Sequence, residues 1–413
     1  MRKLVLSSMV LVLILSLACW ATDTRVMTLG DANNIVEDDA NIWMYPSTIV
    51  NYGGMIIGEF GWSTGVYDLD RLGAHFNCGD DGKVIGFYLS QVAEDPGYGP
   101  WVPDHNGLNN GVDHKLDLFF GMPMGDNQFG AGLSFYSDSW SEDYMNTGAW
   151  PDTSKAAQGN FMLNLMAGLT FNDNLDAAVH FGMASFTNDS TSGDVLDEPN
   201  GIMFLGATGR YWMDHGNDYV GIPHVMFWYA TNGIKGFYDN TIPGELDIKD
   251  SQMGFDLGYG MNLTPDDDIL VIADIGFQYI SEKQAAELVG SNPKMEQETT
   301  ESTFVLPYFR LGLEGNVTSW WDVRVGATKF WTSTSWEQTF TPAFVPPHKD
   351  SDKFGWADTE TYVGSGIHFG NLELDLEIDP FFLAKGPNFV SNYNGQLANR
   401  VSLVYTFDAV NGD

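Results

Sequence analysis

The residues best placed to act on a solute are four carboxylates in one short run. Glu373, Asp375, Glu377 and Asp379 alternate with Leu372, Leu374, Leu376 and Ile378, so in an extended chain all four share one face, neighbours about 7 Å apart. Lining water, such a ladder concentrates cations; met by basic side chains, it locks neighbouring strands together. The residues alone leave both readings open. Arg310 and Arg324 are basic partners of matching parity if Leu311, Leu313, Val323 and Val325 face outward, with Glu314 and Asp322 beside them. By the same rule Lys115, Asp117, Asp176, Asp256 and Asp274 point to the same interior.

Strands must position these residues, and the hydrophobic pattern supplies them. From about residue 52 onward, period two recurs in segments of about 10 to 13 residues, enough to cross a bilayer when tilted. In Gln252 to Leu263 the apolar set Met253, Phe255, Leu257, Tyr259, Met261 and Leu263 takes one face, and Gly254, Asp256, Gly258, Gly260 and Asn262 take the other. A strand buried on both sides would be apolar on both, and a soluble half-buried strand seldom puts so much Gly toward solvent. One lipid face and one lumen face fit better. The same alternation runs through Leu116 to Met122, Phe129 to Phe135, Phe161 to Phe171 and Ile269 to Tyr279.

The connections give a second, independent signal. Short polar links at 79–82, 125–127, 172–174, 214–218, 265–268, 315–318 and 370–371 alternate with long ones near 93–113, 138–157, 188–199, 232–250, 282–301, 334–357 and 383–395. Short turns on one side and long loops on the other are what transmembrane barrels show, whereas a soluble sandwich or propeller needs no such asymmetry. Seven hairpins, an opening strand near 54–62 and a closing strand near 399–407 predict an all-β, transmembrane antiparallel barrel of 14 to 16 strands. Trp62, Trp140, Trp228, Tyr229, Trp320, Trp321 and Trp331 read as interfacial aromatics.

Composition agrees. Aromatics make up 14% of the chain, Gly numbers 46, and Lys and Arg together only 19. Met1, Arg2 and Lys3 followed by an uncharged run from Leu4 to Ala18 read as a secretory signal over residues 1–21, with an alternative processing site that would place Cys19 at a lipoprotein-like position. After it no apolar stretch approaches the roughly 18 to 20 residues of a spanning helix. Cys78 is then the single remaining cysteine, so no intramolecular disulfide is expected. The net charge of −36 argues against nucleic acid and against a polybasic hold on anionic lipid. The expected surroundings are the lipid of a bacterial outer membrane.

Enzymatic constellations are missing from the sequence. The eight His are scattered, with no Gly-x-Ser-x-Gly elbow and no His pair at helical metal spacing. His75, His180, His224 and His368 read as hydrogen-bonding residues of the lumen, and no cofactor is implied. Asp104, Asn106, Asn109, Asn110 and Asp113 crowd oxygen ligands into the first long loop without the spacing of a known calcium motif.

The stretch Arg25-Val26-Met27-Thr28-Leu29-Gly30-Asp31-Ala32, followed by Asp38-Asp39-Ala40-Asn41-Ile42-Trp43-Met44-Tyr45-Pro46-Ser47, resembles the start of the long-chain fatty-acid transporter-like barrels and their PorV-like relatives. Those open with Arg, Leu-Gly-Gly-Ala, an acidic residue and Asn-Pro-Ala. The resemblance covers about 25 residues and departs from the pattern at Asp31, where the second Gly is usual, and at Tyr45-Pro46-Ser47. It implies a plug or lead-in over residues 22–51, with Asp31, Asp38, Asp39, Tyr45 and Pro46 in it, ahead of the barrel that the strand pattern places over 52–407 and a tail over 408–413. It further implies members that move hydrophobic compounds or serve secretion; a plain lumen-filling segment is the other reading. Two functions follow as expectations: a channel or transporter passing a small polar or amphipathic solute, or hydrophobic ligand, through an acidic, partly plugged lumen, and an interaction barrel whose long acidic loops bind a surface protein.

Overall fold

A computed structural model describes residues 22–61, 69–79, 81–92, 112–145, 153–190, 198–199, 201–216, 218–237, 245–266, 268–289, 295–341, 346–386 and 397–407. The signal segment with Cys19, the oxygen-rich loop and the tail lie outside the described residues.

The chain forms one closed antiparallel barrel of 16 strands, the upper of the two expected counts. The strands are β1 (Met55–Gly61), β2 (Leu69–Cys78), β3 (Lys83–Val92), β4 (Val112–Met124), β5 (Asn127–Met145), β6 (Thr153–Phe171) and β7 (Leu175–Ser190). Strand β8 runs in three pieces, Glu198–Pro199, Ile202–Tyr211 and Met213–Asp214, all paired to β9 (Tyr219–Phe237). There follow β10 (Glu245–Asp266), β11 (Ile269–Val289), β12 (Met295–Thr318), β13 (Trp321–Thr341), β14 (His348–Phe369), β15 (Leu372–Ile378) and β16 (Ala398–Thr406). Each strand pairs with its chain neighbours, and β1 closes the ring on β16 from Met55 opposite Thr406 to Gly61 opposite Arg400. The ring is thereby closed, although the short β15 leaves His348–Tyr362 of β14 without a strand partner on that side among the described residues.

The short links are turns that the residues dictate. Asn172 and Asp173 take φ of 47° and 56°, the left-handed central pair of the turn in the three-residue link 172–174, and Gly125 takes 68°.

The outward face shows why period two was legible. Going from the turn side, β10 exposes Leu263, Leu257 and Met253, and β12 exposes Leu313, Leu311, Leu306 and Phe304. Above them stand Ser251, Ser281 and Ser302. Ten residues of a strand tilted near 45° rise about 23 Å, the height of an outer-membrane apolar belt.

The strands do not stop at the belt, and this overturns part of the expected loop map. Strands β10 to β14 are 22, 21, 24, 21 and 22 residues long. Most of the supposed long links 138–157, 232–250, 282–301 and 334–357 is sheet. Above the belt the alternation that marks a strand in lipid disappears; Glu296 to Thr303, for one, is polar on both faces. On the other flank β15 has only seven residues. It ends because Pro380 follows Asp379; Pro has no N–H to give a ladder but suits the first turn of a helix, here α2 (Pro380–Lys385).

Candidate functional site

Inside the ring, residues 22–54 fold as a plug. Helix α1 (Asp23–Thr28) and two short 3-10 helices, Asp39–Trp43 and Pro46–Asn51, occupy the turn-side half of the lumen. Thr22 caps α1, and Asp38 and Asn41 form a reciprocal capping box on the second segment. Gly30 and Asp31 both adopt positive φ, 91° and 55°. Asp tolerates that conformation better than most residues.

The barrel makes room by placing glycines against the plug. A Cβ at Gly130 would lie 2.0 Å from the Pro46 carbonyl oxygen, and one at Gly326 2.4 Å from the Gly30 nitrogen. Apolar seats surround these contacts. Leu29, Ala32, Ile35 and Val36 pack on Ile222 and Ile272, while Ile42, Ile49 and Tyr52 pack on Met55, Val84, Tyr88, Phe119, Met166 and Val404.

Among the described residues, four larger ionic groups and one further pair hold the plug or lie just above it. The largest centres on Arg324, which is 1% exposed. Its guanidinium bonds Asp375, donates to Glu314 at 2.5 Å and lies 3.6 Å from both Glu373 and Asp322. Arg25 of the plug grips the same Glu314 bidentately, at 2.7 and 2.8 Å, and reaches Asp38 at 3.4 Å. Thr22 donates to Asp375 at 2.8 Å, Thr24 bonds Ser402, and His368 bonds Asp322. Burial pushes the Asp38 carboxyl up to about 7, against the pull of Arg25.

A second group joins Glu59, Arg71, Asp23 and Arg400, with Glu377 3.9 Å from Arg400. A third is built on Arg210, which pairs with Asp176 at 2.8 Å and donates to the carbonyls of Asn33, Asn34 and Val36 and to the Asn41 side chain. Its guanidinium lies 4.4 Å from the Tyr45 ring centre, and Pro46 follows buried beneath it. The fourth lies above the plug: Arg310 and His224 meet Asp274 at 3.0 and 3.1 Å, and Tyr308 donates to Asp256 at 3.0 Å. Asp117 is buried beside Lys115 at 3.2 Å.

The expected interior residues Asp117, Asp256, Asp274, Arg310, Arg324, Glu373 and Asp375 thus lie on the lumen side. They do not form one open acidic path. Where the ladder meets the plug it is met by Arg324, the lock rather than the water-lined ring. Asp379 leaves the ladder altogether: its carboxylate accepts from the Phe381 N–H and caps α2. Asp39 is buried beside Asp38, and Asp31 is exposed at the surface of the plug. His75 bridges the Tyr52 carbonyl and Tyr88, and His180 meets the Met44 carbonyl.

Sequence reasoning passed over Arg71, Arg210 and Arg400. All three sit at lumen parity in a chain with few basic residues, and that scarcity was the available signal. Also passed over was an apolar layer above the fourth group, made by Tyr136, Met162, Ile202, Phe204 and Met226 with Ile280 beside them; Trp228, expected at the membrane interface, is instead buried in it.

No family model matches the chain, and no curated protein matches it. Solved structures similar to it include the ferric-catecholate import receptor Fiu from E. coli in its open form, at 10% identity and TM-score 0.33, covering 86% of this chain and 81% of that one. The ferric yersiniabactin uptake receptor FyuA from Yersinia pestis stands at 9% and 0.37, covering 86% and 80%. The translocator domain of autotransporter NalP from Neisseria meningitidis stands at 15% and 0.29, covering 69% and 90%. The closed ring of 16 strands and its outward apolar belt are those of a β-barrel of the bacterial outer membrane.

Proposed function

We propose that this barrel is a gated channel or transporter for a small polar or amphipathic solute, with residues 22–54 as the gate. The observation that carries the reading is a wide ring whose lumen is stopped by a segment of its own chain. Sixteen strands enclose more space than wall side chains fill, which is how porins come to conduct. Here the turn-side half of that space is closed by a segment of the same chain, held by ion pairs, hydrogen bonds and apolar seats rather than by covalent bonds. The charged group around Arg310 beneath an apolar layer suits a solute with both polar and apolar parts, in line with the resemblance of the plug to the fatty-acid transporter-like barrels.

The contact between Thr24 and Ser402 offers a direct test. Thr24→Cys with Ser402→Cys, in a Cys78→Ser background, ties the plug to β16 through a disulfide. In planar bilayers the oxidised form is expected to stay closed and the reduced form to show openings. Silence of the reduced form, of the native chain and of a chain lacking residues 23–51 would overturn the reading.

One observation favours a second reading, a barrel that docks a partner protein. Strand β15 pairs only with Val363–Phe369 of β14, so among the described residues His348–Tyr362 have no strand partner on that side. Such an edge accepts an added strand. A protein that co-purifies with the native chain and is lost when Asp352 and Asp358 are both replaced by Pro would support it.

A further inference from the structure

Above the belt, β10 to β14 continue as a five-stranded sheet whose two faces differ in charge. Parity is fixed lower down, where Asp256, Asp274, Tyr308, Arg324 and Gly366 face the lumen. Carried upward through the registers, it turns Lys249, Lys283, Lys349 and Lys353 outward. Three of these neutralise acids of the same outer face: Lys249 with Asp247 at 3.2 Å, Lys283 with Glu298 at 2.9 Å and Lys349 with Glu337 at 2.6 Å. The inner face receives Glu301, Asp350 and Asp352, with His348 3.9 Å from Asp350, and among the described residues of this extension no Lys or Arg lies on it.

Aromatic rings stand among these carboxylates. Trp336 has Glu301 directly opposite on β12 and Asp352 directly opposite on β14. Cross-strand neighbours of that kind have Cβ atoms about 5 Å apart, so the indole is flanked by a carboxylate on each side. Two residues along β14 from Asp352, Phe354 stacks on Trp356 with ring centres 5.6 Å apart. Both are 49% exposed, on a sheet whose surroundings are polar. Apolar rings left in water between carboxylates match one chemistry well: an ammonium or guanidinium group whose charge meets the carboxylates while its carbons lie on the ring faces.

We propose that the inner face of this extension is a recognition surface for small organic cations, centred on Trp336, Phe354, Glu301 and Asp352. The ligand carries an alkylated ammonium or guanidinium group; the face opens toward the mouth of the lumen, so capture there precedes entry. The proposal deepens the channel reading by naming the class of solute, and binding is measured separately from passage.

The probe is choline, with 3,3-dimethyl-1-butanol as its uncharged counterpart of the same shape. On the full-length barrel in detergent, choline is expected to change tryptophan fluorescence saturably, and the neutral compound is expected to leave it unchanged. Glu301→Gln with Asp352→Asn, and separately Trp336→Ala, are expected to weaken choline about tenfold, the scale of a lost ion pair or cation–π contact. Glu298→Gln with Glu337→Gln removes the same formal charge from the outer face and is expected to change affinity less than about twofold. Heat-modifiable gel mobility, which reports a closed barrel, screens the variants for folding. Equal responses to choline and the alcohol, no saturable response, or equal weakening by the outer-face pair would each overturn the proposal. Binding without flux into liposomes leaves the cation site standing and counts against the channel; flux unaffected by the inner-face variants does the reverse.

Discussion

Replacing Arg324 with Met removes the central cation from a site that water does not reach. Arg324 is 1% exposed, Asp375 0% and Glu373 1%. The consequences differ from partner to partner. Glu314 keeps the bidentate grip of Arg25, and Asp322 and Glu373 keep His368, the latter at 4.0 Å. Asp375 keeps only the Thr22 hydroxyl among its contacts described here, at 2.8 Å. One buried carboxylate without a counter-charge, rather than four, therefore sets the scale, and breaking a buried pair from one side costs about 3 to 5 kcal/mol. Arg324→Met is expected to lose that much stability in urea unfolding from lipid vesicles followed by tryptophan fluorescence. Asp375→Asn placed on top removes the orphaned charge while keeping its shape, and is expected to recover more than half of the loss. The native Arg324 with Asp375→Asn alone completes the cycle. A loss below about 1 kcal/mol for Arg324→Met, or no recovery in the double variant, would show that the pair is not desolvated as drawn and would refute the lock.

Gly130→Ala is expected to unseat the plug without opening the ring, because its Cβ would fall 2.0 Å from backbone of Pro46; Gly182→Ala, whose nearest neighbour would be 3.4 Å away, serves as the control. Protease cleavage within residues 22–54 should rise in the first and not in the second, and equal cleavage would refute the fit. For pH, the Asp38 carboxyl stands raised from 3.8 to about 7 in the docked plug. The docked form thus holds a proton that a released segment gives up between those values, so docking weakens as pH rises through that window and levels off above it. Openings in planar bilayers should be more frequent at pH 8 than at pH 5.5, Asp38→Asn should flatten the difference, and an unchanged dependence in that variant would assign it elsewhere.

The lumen side of the barrel was legible because lipid leaves a strand no choice. Between Leu263 and Met253 every outward position of β10 must be apolar, so Asp256 could only face in, and the same holds for Asp274, Arg310 and Glu373. Above the belt that constraint ends. Glu296 to Thr303 is polar on both faces, and nothing in its pattern separates a strand in water from a loop. Asp379 shows a different limit. Parity carried it inward, yet Asp followed by Pro380 is also a helix-starting pair, and the local signal outweighed the periodic one. The partnership of Arg25 with Glu314 was beyond any local signal, since the two are joined only by the closing of the ring around the plug.

Desolvation explains why negative charge behaves in two ways in one molecule. Beneath the plug, Glu373 and Asp375 have lost water, and an unmatched carboxylate there would cost several kcal/mol, so each meets Arg324. At the top of the sheet Glu301 and Asp352 remain in contact with water and can stay charged without a built-in cation, which leaves them available to a dissolved one. Cation recognition therefore belongs with the carboxylates that the protein can leave uncompensated. Glu373→Gln should alter the stability of the closed state and leave choline affinity at the extension unchanged; a drop in that affinity as large as the one for Glu301→Gln would place recognition back at the ladder.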